Sequence, residues 1–392
     1  MTFSVHQHWD PLRLCVVGRS YPPEFYSWIQ VPRVRDLFER IAIETEQDYQ
    51  NIIQVLDQFG VEVIRPDIPE QLDAYRIDQQ WPAPPMTPRD YMIMIGDRFY
   101  CNLGHQRWQG YYSRVRQPGW PDTFSYNQFM DQAPAELVDI CRDQHDLEHW
   151  YLDDSRTGAW HRACYGSVLD RVSGNGNTIR HDFHTNVNGA MVSRIGRDLY
   201  FGTAFYRQDQ VQFQATLDRE FTGTRNHIVN TGGHSDGTYC PVCPGLIISL
   251  HDVPTYSDTY PDWEVVYLPG QSLAQVYDFM RIKHRNHGRW WIPGFETDSD
   301  VIDVVESWLA HWVGFVEETV FDVNMLMINP TNVMLFGEND RVCEALGRYG
   351  ITPHVVPFRH RYFWDGGIHC VTLDLDRAGL QQDFFPARSR VT

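Results

Sequence analysis

The segment YMIMIGDRFYCN (91–102) is the most informative about the fold, because it has the form of a β-hairpin. An apolar strand reaches the turn dipeptide Gly96-Asp97, and a second apolar strand follows it. The same form recurs three times further along the chain, at 191–202, 239–250 and 324–337. The stretch LRLCVVGRS (12–20) predicts one strand of a fifth hairpin.

Stretches with the apolar spacing of helices lie between the hairpins. The clearest is 34–60, whose apolar residues fall near one stripe and whose last residue, Gly60, is a predicted C-cap. Weaker helical patterns occupy about 208–220, 271–283, 300–319 and 339–349. Short β-rich runs are interleaved with them at 61–65, 263–268 and 352–358. The sequence therefore predicts a repeated unit of hairpin, helix and strand.

About five such units favour one closed, radially repeated α/β body whose units share a central site. No Gly/Ser-rich or Pro-rich linker divides the sequence, so residues 1–392 are predicted to form a single domain. Within it, about 103–180 is rich in Trp, Tyr and Arg and is interpreted as an irregular insertion that covers or borders the site.

The composition describes a globular protein with an acidic balance. The sequence has 33 Lys and Arg residues against 51 Asp and Glu residues, a formal net charge of −18 that repels nucleic acid and anionic lipid. The longest uninterrupted apolar run, 91–95, is far shorter than the roughly 20 residues that cross a bilayer. With only 8 cysteines and no N-terminal signal pattern, the chain is predicted to be cytoplasmic, with neither nucleic acid nor membrane as a partner.

The segment DGGIHCVTLDLDR (365–377) places Cys370 directly after two glycines and before an alternating strand. A lone cysteine most often fills a small apolar space, and this segment alone leaves that explanation open. Three other segments also put polar side chains just before a hairpin strand: Asp90 in TPRDYMIMIG, Asn188 in FHTNVNGAMVSRIGRD, and His234 with Asp236 in TGGHSDGTY. If the units are arranged radially, these side chains converge with Cys370 on one cleft.

The chemistry that fits this set is covalent catalysis. A thiolate attacks an electron-poor carbon, a histidine moves protons, and two carboxylates hold a cationic substrate. A guanidinium suits Asp90 and Asp236, because its fork of N–H donors matches paired carboxylate acceptors. Their negative charge also opposes loss of the Cys370 proton until a cation is bound.

Together, these motifs resemble the amidinotransferases of the guanidino-group-modifying superfamily. The matching segments run in order from HWDPLRLCVVG (8–18) to GGIHCVTLDLDRAG (366–379) and cover most of the chain. The combination of GG-x-HC-x-T with H-x-D and PRD is specific, whereas any one of these motifs alone is weak. The resemblance implies a five-bladed, pseudo-symmetric α/β propeller of ββαβ units, in agreement with the repeats.

The resemblance also implies a role for each site residue. Cys370 would be the nucleophile that takes the amidino group from arginine and releases ornithine. His234 would protonate the leaving amine and then deprotonate the incoming one. Asp90 and Asp236 would hold the guanidinium, and Arg89 of the same PRD motif is grouped with them as a substrate-binding residue.

Two positions depart from the family pattern. Asn188 stands where the family has an aspartate that pairs with the histidine, so His234 is expected to be less basic unless Asp182 or Asp198 compensates. Asn188 is still placed in the predicted catalytic set, with an Asx-turn role as the alternative. Val253 stands where the glycine-specific enzymes have an arginine for the amino-acid carboxylate, which leaves donor and acceptor identity open.

Three hypotheses follow from the sequence. The first is an amidinotransferase that passes the amidino group of arginine to glycine or a related primary amine, with no metal or organic cofactor. Its predicted partners are these small molecules, and a homodimer is left open. The second is an arginine deiminase or dihydrolase that uses water as acceptor, motivated by Val253. The third is a catalytically silent binding protein, motivated by Asn188.

Two further motifs are given structural interpretations. The pair Cys240 and Cys243 has the spacing of a redox or zinc motif, but no second pair accompanies it, so a position in a hairpin strand is preferred. His369 is interpreted as support and not as a base. In an extended segment its side chain would point to the face opposite Cys370.

Overall fold

The computed structural model describes residues 2–76, 79–103, 155–184, 186–203, 207–231, 234–250, 256–268, 292–309, 312, 322–364 and 366–388. Val253 and the helix expected at 271–283 lie outside these residues. The described strands are β1 Leu12–Val17, β2 Glu62–Ile64, β3 Met92–Ile95, β4 Arg98–Cys101, β5 Thr178–His181, β6 Val192–Ile195, β7 Asp198–Thr203, β8 Arg225–Asn230, β9 Tyr239–Cys243, β10 Leu246–Ser249, β11 Glu264–Tyr267, β12 Leu326–Asn329, β13 Asn332–Leu335, β14 Thr352–Val355 and β15 Thr372–Arg377.

Seven α-helices are present in the described part of the chain. They are α1 Pro32–Gln58, α2 Ser155–Gly174, α3 Arg207–Glu220, α4 Tyr256–Thr259, α5 Ser299–Trp308, α6 Asp340–Arg348 and α7 Arg361–Trp364. The helices expected at 34–60, 208–220 and 339–349 are confirmed, and α5 covers the first part of the one expected at 300–319. None of the helices in the ranges given above is long and apolar enough to cross a membrane.

The strands form five three-stranded sheets, and each sheet has the same connectivity. In the sheet β3-β4-β5, for example, β3 and β4 are antiparallel, whereas β5 runs parallel to β4 after the helix α2. The four predicted hairpins are confirmed as β3-β4, β6-β7, β9-β10 and β12-β13. The repeated unit is therefore ββαβ.

The fifth sheet joins the two ends of the chain. Its strand β1, predicted at 12–20, pairs antiparallel with β15 and parallel with β2. Since β15 takes the place that β3 has in its own sheet, the last strand of the chain completes a unit that the first strands begin. The five sheets are thus equivalent in connectivity.

Burial decreases from the first strand of a sheet to the third. β3, β6 and β15 are buried along their whole length, whereas β5 and β14 are partly or fully exposed. The hairpin turns require backbone conformations that favour glycine, with φ of 57° at Gly96 and 63° at Gly196. Because β3, β6 and β15 are each the first strand of a sheet and are buried along their whole length, the residues just before each of them lie at one end of a fully buried strand.

The irregular insertion expected at about 103–180 is regular in its C-terminal part. Residues 155–174 form α2, and β5 follows at Thr178–His181. Trp160, Cys164 and Val168, spaced four residues apart, are buried along α2, and this helical spacing is present in the sequence among aromatic and charged residues. Residues 104–154 lie outside the described residues.

Candidate active site

A short turn precedes the first strand of every sheet, and these five turns contact one another in succession. We refer to them together as the turn ring: residues 87–91, 188–191, 234–238, 322–325 and 366–371. All six residues of the predicted site lie in this ring. The convergence expected from radial repetition is therefore present at the level of the backbone turns.

Backbone hydrogen bonds connect the first three turns. The Gly189 N–H donates to the carbonyl oxygens of Arg89 and Met92, at 2.9 and 3.0 Å. The Asp236 N–H donates to the Ala190 carbonyl at 3.2 Å. The turns 87–91, 188–191 and 234–238, which follow one another at intervals of about 50 to 100 residues in the sequence, are thus neighbours in the folded chain.

Asn324 connects the third turn to the fifth. Its Nδ2 donates to the Asp236 carbonyl at 3.3 Å and to Cys370 Sγ at 3.1 Å, and its Oδ1 accepts from the His369 N–H at 2.7 Å. Arg89 Nε then donates to the His369 carbonyl at 2.6 Å, which returns to the first turn. Sequence reasoning missed Asn324, although its position directly before the fourth hairpin was a usable signal.

The two glycines before Cys370 allow these close approaches. Gly366 has φ of 113°, and a Cβ there would lie 3.2 Å from both the Thr87 Cγ2 and the Cys370 Cβ. A Cβ at Gly367 would lie 2.2 Å from the Asn324 Oδ1, far inside contact distance. The glycine pair therefore lets the fifth turn pack against both the first turn and Asn324.

Cys370 is fully buried, and its thiol shares a carboxylate with the preceding histidine. Cys370 Sγ lies 3.6 Å from Asp236 Oδ2, and His369 Nδ1 lies 2.7 Å from the same oxygen. The expectation that His369 points away from Cys370 is wrong, because residues 368–371 form a turn instead of an extended strand. Side chains of adjacent residues in a turn can reach the same partner.

The imidazole of His369 is neutral in this environment. Burial lowers the pKa of His369 well below its usual range, and the nearby Arg89 and His8 lower that pKa further. The close contact with Asp236 is therefore a hydrogen bond and not an ion pair. Since a carboxylate can only accept, Nδ1 carries the proton and donates it to Oδ2.

Three buried arginines surround a single carboxylate on β15. Asp374 binds Arg89 Nη1 at 3.0 Å, Arg194 Nη2 at 2.8 Å and Arg377 Nε at 2.6 Å. Burial alone would raise the pKa of Asp374, but Arg194, Arg377 and Arg89 outweigh it and hold that pKa well below its usual range. These ion pairs fix β15 directly after the turn that carries Cys370.

Arg89 belongs to this buried cluster. Its side chain has no exposed surface, and its Nε donates to the carbonyls of His369 and Thr372 while Nη1 binds Asp374. These donors are engaged by protein groups, so they do not face a substrate. The contacts give Arg89 the role of holding the fifth turn.

The side chain of Asn188 is engaged in its own turn. Its Oδ1 accepts from the N–H groups of Ala190 and Met191, each at 3.0 Å. This is the Asx-turn role that the sequence left open as an alternative. Asp198 does not lie in the turn ring and is bound by other groups, whereas Asp182 is exposed, so the described contacts give neither residue a compensating role beside His234.

Asp90 and His234 are both half-buried members of the turn ring. Asp90 ends the 3₁₀ turn Pro88–Asp90, and its N–H donates to the Thr87 carbonyl at 3.2 Å. His234 directly precedes the turn Ser235–Gly237, so it shares that turn with the carboxylate that reaches Cys370.

The remaining cysteines of interest occupy strand positions. Cys240 and Cys243 both lie in β9, as the sequence interpretation preferred. Burial raises the pKa of the Cys240 thiol to about 12, with Asp236 adding to the effect, and raises that of Cys243 to about 11. Within the described ranges, no group of three or more His, Cys, Asp or Glu residues is arranged to hold a metal ion.

Sequence comparison identifies relatives over nearly the whole chain. The mitochondrial glycine amidinotransferase of Xenopus tropicalis is 21% identical over 97% of this chain and 84% of its own length. The L-arginine:L-lysine amidinotransferase of Pseudomonas savastanoi pv. phaseolicola is 19% identical over 88% of this chain and 82% of its own length. Inosamine-phosphate amidinotransferase 1 of Streptomyces glaucescens is 20% identical over 97% of this chain and 98% of its own length. No protein-family model matches the sequence.

Two solved structures share the fold over nearly their whole length. An amidinotransferase of saxitoxin biosynthesis from Microseira wollei has a TM-score of 0.58 at 16% identity, covering 98% of this chain and 99% of that chain. The inosamine-phosphate amidinotransferase of Streptomyces griseus has a TM-score of 0.56 at 16% identity, covering 97% and 99%. The chain is thus similar to amidinotransferases in sequence over nearly its whole length, and it shares its fold with two amidinotransferases of known structure.

Proposed function

We propose that the protein transfers the amidino group of L-arginine to an acceptor amine through a covalent amidino-Cys370 intermediate. The observation that carries this proposal is the position of the thiol, 3.1 Å from the Asn324 amide and 3.6 Å from Asp236 Oδ2. An amide donor favours the thiolate, and a carboxylate beside it attracts a guanidinium to the reacting sulfur. The amidinotransferase relatives support the same class of reaction.

In the first half of the reaction, the guanidinium lies against the carboxylates of Asp90 and Asp236. Its positive charge offsets the repulsion that Asp236 exerts on a negative sulfur, so the thiolate forms when substrate is bound. The thiolate then attacks the guanidino carbon and forms an S–C bond. The bond between that carbon and the arginine Nε breaks as His234 donates a proton, and ornithine leaves.

In the second half, the acceptor amine attacks the amidino carbon. His234 removes a proton from the attacking nitrogen, the S–C bond breaks, and the Cys370 thiolate is regenerated. Asn188 takes part by holding the turn 188–191, since its Oδ1 is occupied by two backbone N–H groups. The named relatives act with glycine, lysine and inosamine phosphates, so we propose glycine or another primary amine as acceptor.

We also propose that the five sheets are arranged radially as a propeller around the turn ring. The succession of contacts through the five turns and the pairing of β1 with β15 support this arrangement. The cytoplasmic location and the homodimer stay predictions of the sequence.

Product analysis tests the proposed function. The protein is incubated with arginine and a panel of primary amines, and ornithine and amidinated amines are quantified by mass spectrometry. We expect ornithine release that depends on an amine, its loss in Cys370→Ala, and its retention in Cys240→Ala. Turnover to citrulline without any amine would assign the hydrolase, and absence of all products from folded protein would support the silent binding protein.

A further inference from the structure

The hydrogen bond between His369 and Asp236 points to a residue role that the proposed reaction does not include. We propose that His369 is a positioning residue, which holds Asp236 so that Oδ2 lies between its imidazole and the Cys370 thiol. The inference rests on the proposed function of Cys370, because it concerns the carboxylate that faces the reacting sulfur. It assigns no proton transfer to His369 itself.

His369 is held from several sides, so its imidazole can fix a partner. Its backbone N–H donates to Asn324 Oδ1 at 2.7 Å, and its carbonyl accepts from Arg89 Nε at 2.6 Å. Arg89 is in turn bound to the buried Asp374 at 3.0 Å. The imidazole therefore projects from a backbone that is tied to the ion cluster of β15 as well as to the fourth turn.

Hydrogen bonds hold the backbone of Asp236, but they do not fix the orientation of its carboxylate. Its N–H donates to the Ala190 carbonyl, and its own carbonyl accepts from Asn324 Nδ2. The carboxylate can still rotate about its terminal torsion, which is a broad one for aspartate. A hydrogen bond of 2.7 Å from His369 Nδ1 selects the rotation in which Oδ2 also faces Cys370.

The neutral state of His369 preserves the charge of the pair. A neutral imidazole donates to Oδ2 without cancelling the carboxylate charge, so the pair remains negative for a guanidinium. The imidazole N–H also makes Oδ2 a weaker acceptor for the thiol proton. If the imidazole is removed, Oδ2 accepts more strongly from the thiol, and Cys370 holds its proton more firmly. Besides Asp236, the charged or titratable groups that act on His369 are Arg89, His8, Asp374 and Arg194.

The test is the pH profile of Cys370 alkylation by iodoacetamide, read by peptide mass without any substrate. We expect His369→Ala to move the profile to higher pH and to slow alkylation at neutral pH about tenfold, as loss of one hydrogen bond to a charged group implies. His369→Asn should restore the native profile, because its amide nitrogen stands near the place of Nδ1. His227→Ala is the matched control, since it removes an imidazole from a different carboxylate.

Two results would overturn the proposal: a His369→Ala profile that coincides with the native one, or a His369→Asn profile that coincides with that of His369→Ala. If His369→Ala does not fold, His369→Asn is compared with His369→Gln, whose nitrogen lies one bond further out. Equal profiles for these two would also overturn it. The alkylation needs no turnover, so a native protein that releases no ornithine would refute the proposed function and leave this test intact.

Discussion

Two buried carboxylates in this chain each accept a hydrogen bond from a histidine, yet their surroundings differ. Asp236 binds His369 Nδ1 at 2.7 Å, and Asp198 binds His227 Nε2 at 2.7 Å. The second carboxylate also accepts from Arg225 Nε at 3.1 Å and from Arg388 Nη1 at 2.7 Å. The first lies 3.6 Å from a thiol instead.

The comparison teaches that the role of a hydrogen-bonded aspartate and histidine depends on the other groups that contact the carboxylate. Burial alone would raise the pKa of Asp198, but the hydrogen bonds of His227, Arg225 and Arg388 outweigh it and lower that pKa. Asp198 is therefore a neutralised anchor that ties Arg388, near the end of the chain, to the sheet β6-β7-β8. Asp236 has no arginine among these contacts and lies beside the thiol of Cys370 instead.

The largest expected effect comes from exchanging each carboxylate for an amide. Asp236→Asn removes the negative charge beside Cys370, and we expect kcat/KM for arginine to fall by about 10²- to 10³-fold, the range seen when one electrostatic contact to the reacting centre is lost. Asp198→Asn leaves Arg388 without its carboxylate, whereas Arg225 keeps its ion pair with Asp383, and we expect a loss of about 3 kcal/mol in the free energy of unfolding.

Steady-state kinetics and urea unfolding of both variants check this crossed pattern. Asp198→Asn should retain native kcat/KM at a temperature where it is folded, and Asp236→Asn should unfold within about 1–2 kcal/mol of the native protein. If both variants lost activity equally at equal folded fraction, the distinction between the two pairs would not hold.

The next effect concerns the approach of Asn324 to the site. In Gly367→Ala the new Cβ would lie 2.2 Å from Asn324 Oδ1, so Asn324 or the fifth turn must shift, and this disturbs the contact between the amide and Cys370. We expect kcat to fall about 100-fold, as a displacement of about 1 Å near reacting groups does. Gly347→Ala is the matched control, because nothing lies within 4 Å of its Cβ in α6.

Gly347→Ala should leave kcat unchanged and stabilise the fold by about 0.5–1 kcal/mol, since alanine is the better helix former. Enzyme assays and thermal unfolding of the two variants give the answer. A fully active Gly367→Ala would show that Asn324 does not need its place beside the sulfur.

A smaller effect is expected when the amide donor itself is removed. Asn324→Ala deletes the hydrogen bond of 3.1 Å to Cys370 Sγ, and we expect iodoacetamide to alkylate Cys370 about tenfold more slowly at neutral pH. The control is Asn339→Ala, which removes the N-cap residue of α6. The Oδ1 of Asn339 accepts from the N–H groups of Arg341 and Val342. It should cost about 1 kcal/mol of stability and leave alkylation unchanged.

The smallest effect is a dependence of stability on pH. Burial lowers the pKa of His8 and of His369 well below 6.5, so both stay neutral in the folded protein, whereas the unfolded chain binds protons near pH 6.5. The unfolded state therefore gains more protons as the pH falls below about 6.5, and each histidine lowers the free energy of unfolding by about 1.4 kcal/mol per pH unit. Above that pH neither contributes.

His8→Gln isolates one of these two contributions. The glutamine oxygen can replace Nε2 as the acceptor of the Arg194 N–H, now at 3.0 Å, without titrating. Urea unfolding between about pH 5 and 7 should show a slope smaller than the native slope by about 1.4 kcal/mol per pH unit. An unchanged slope would mean that His8 is protonated in the folded state.

Local patterns in the sequence were sufficient for the repeated unit. Each hairpin is specified by apolar strands and a turn within about a dozen residues, and the helix 34–60 by its own stripe, so no distant contact was needed. The convergence of Cys370, Asp236 and the PRD turn followed from applying the repeat to all five units. The same rule, applied to the fourth hairpin, would have found Asn324.

Other features depend on contacts that no local pattern records. Alternation in β15 suggests one exposed face, but Asp374 is fully buried because it binds arginines from β6 and from the first turn. The direction of His369 was mistaken because the turn at 368–371 cannot be read from the residues alone. The engagement of Asn188 was left open, since an asparagine in TNVNG suits either a catalytic pair or an Asx turn.

The most direct test of the central claim is the mass of the Cys370 peptide after mixing with guanidino-labelled arginine and rapid acid quench, without an acceptor amine. We predict a labelled amidino group on Cys370, absent from Cys240 and lost when an acceptor amine is added before the quench. Ornithine release from folded protein with Cys370 unmodified at every quench time would contradict the account.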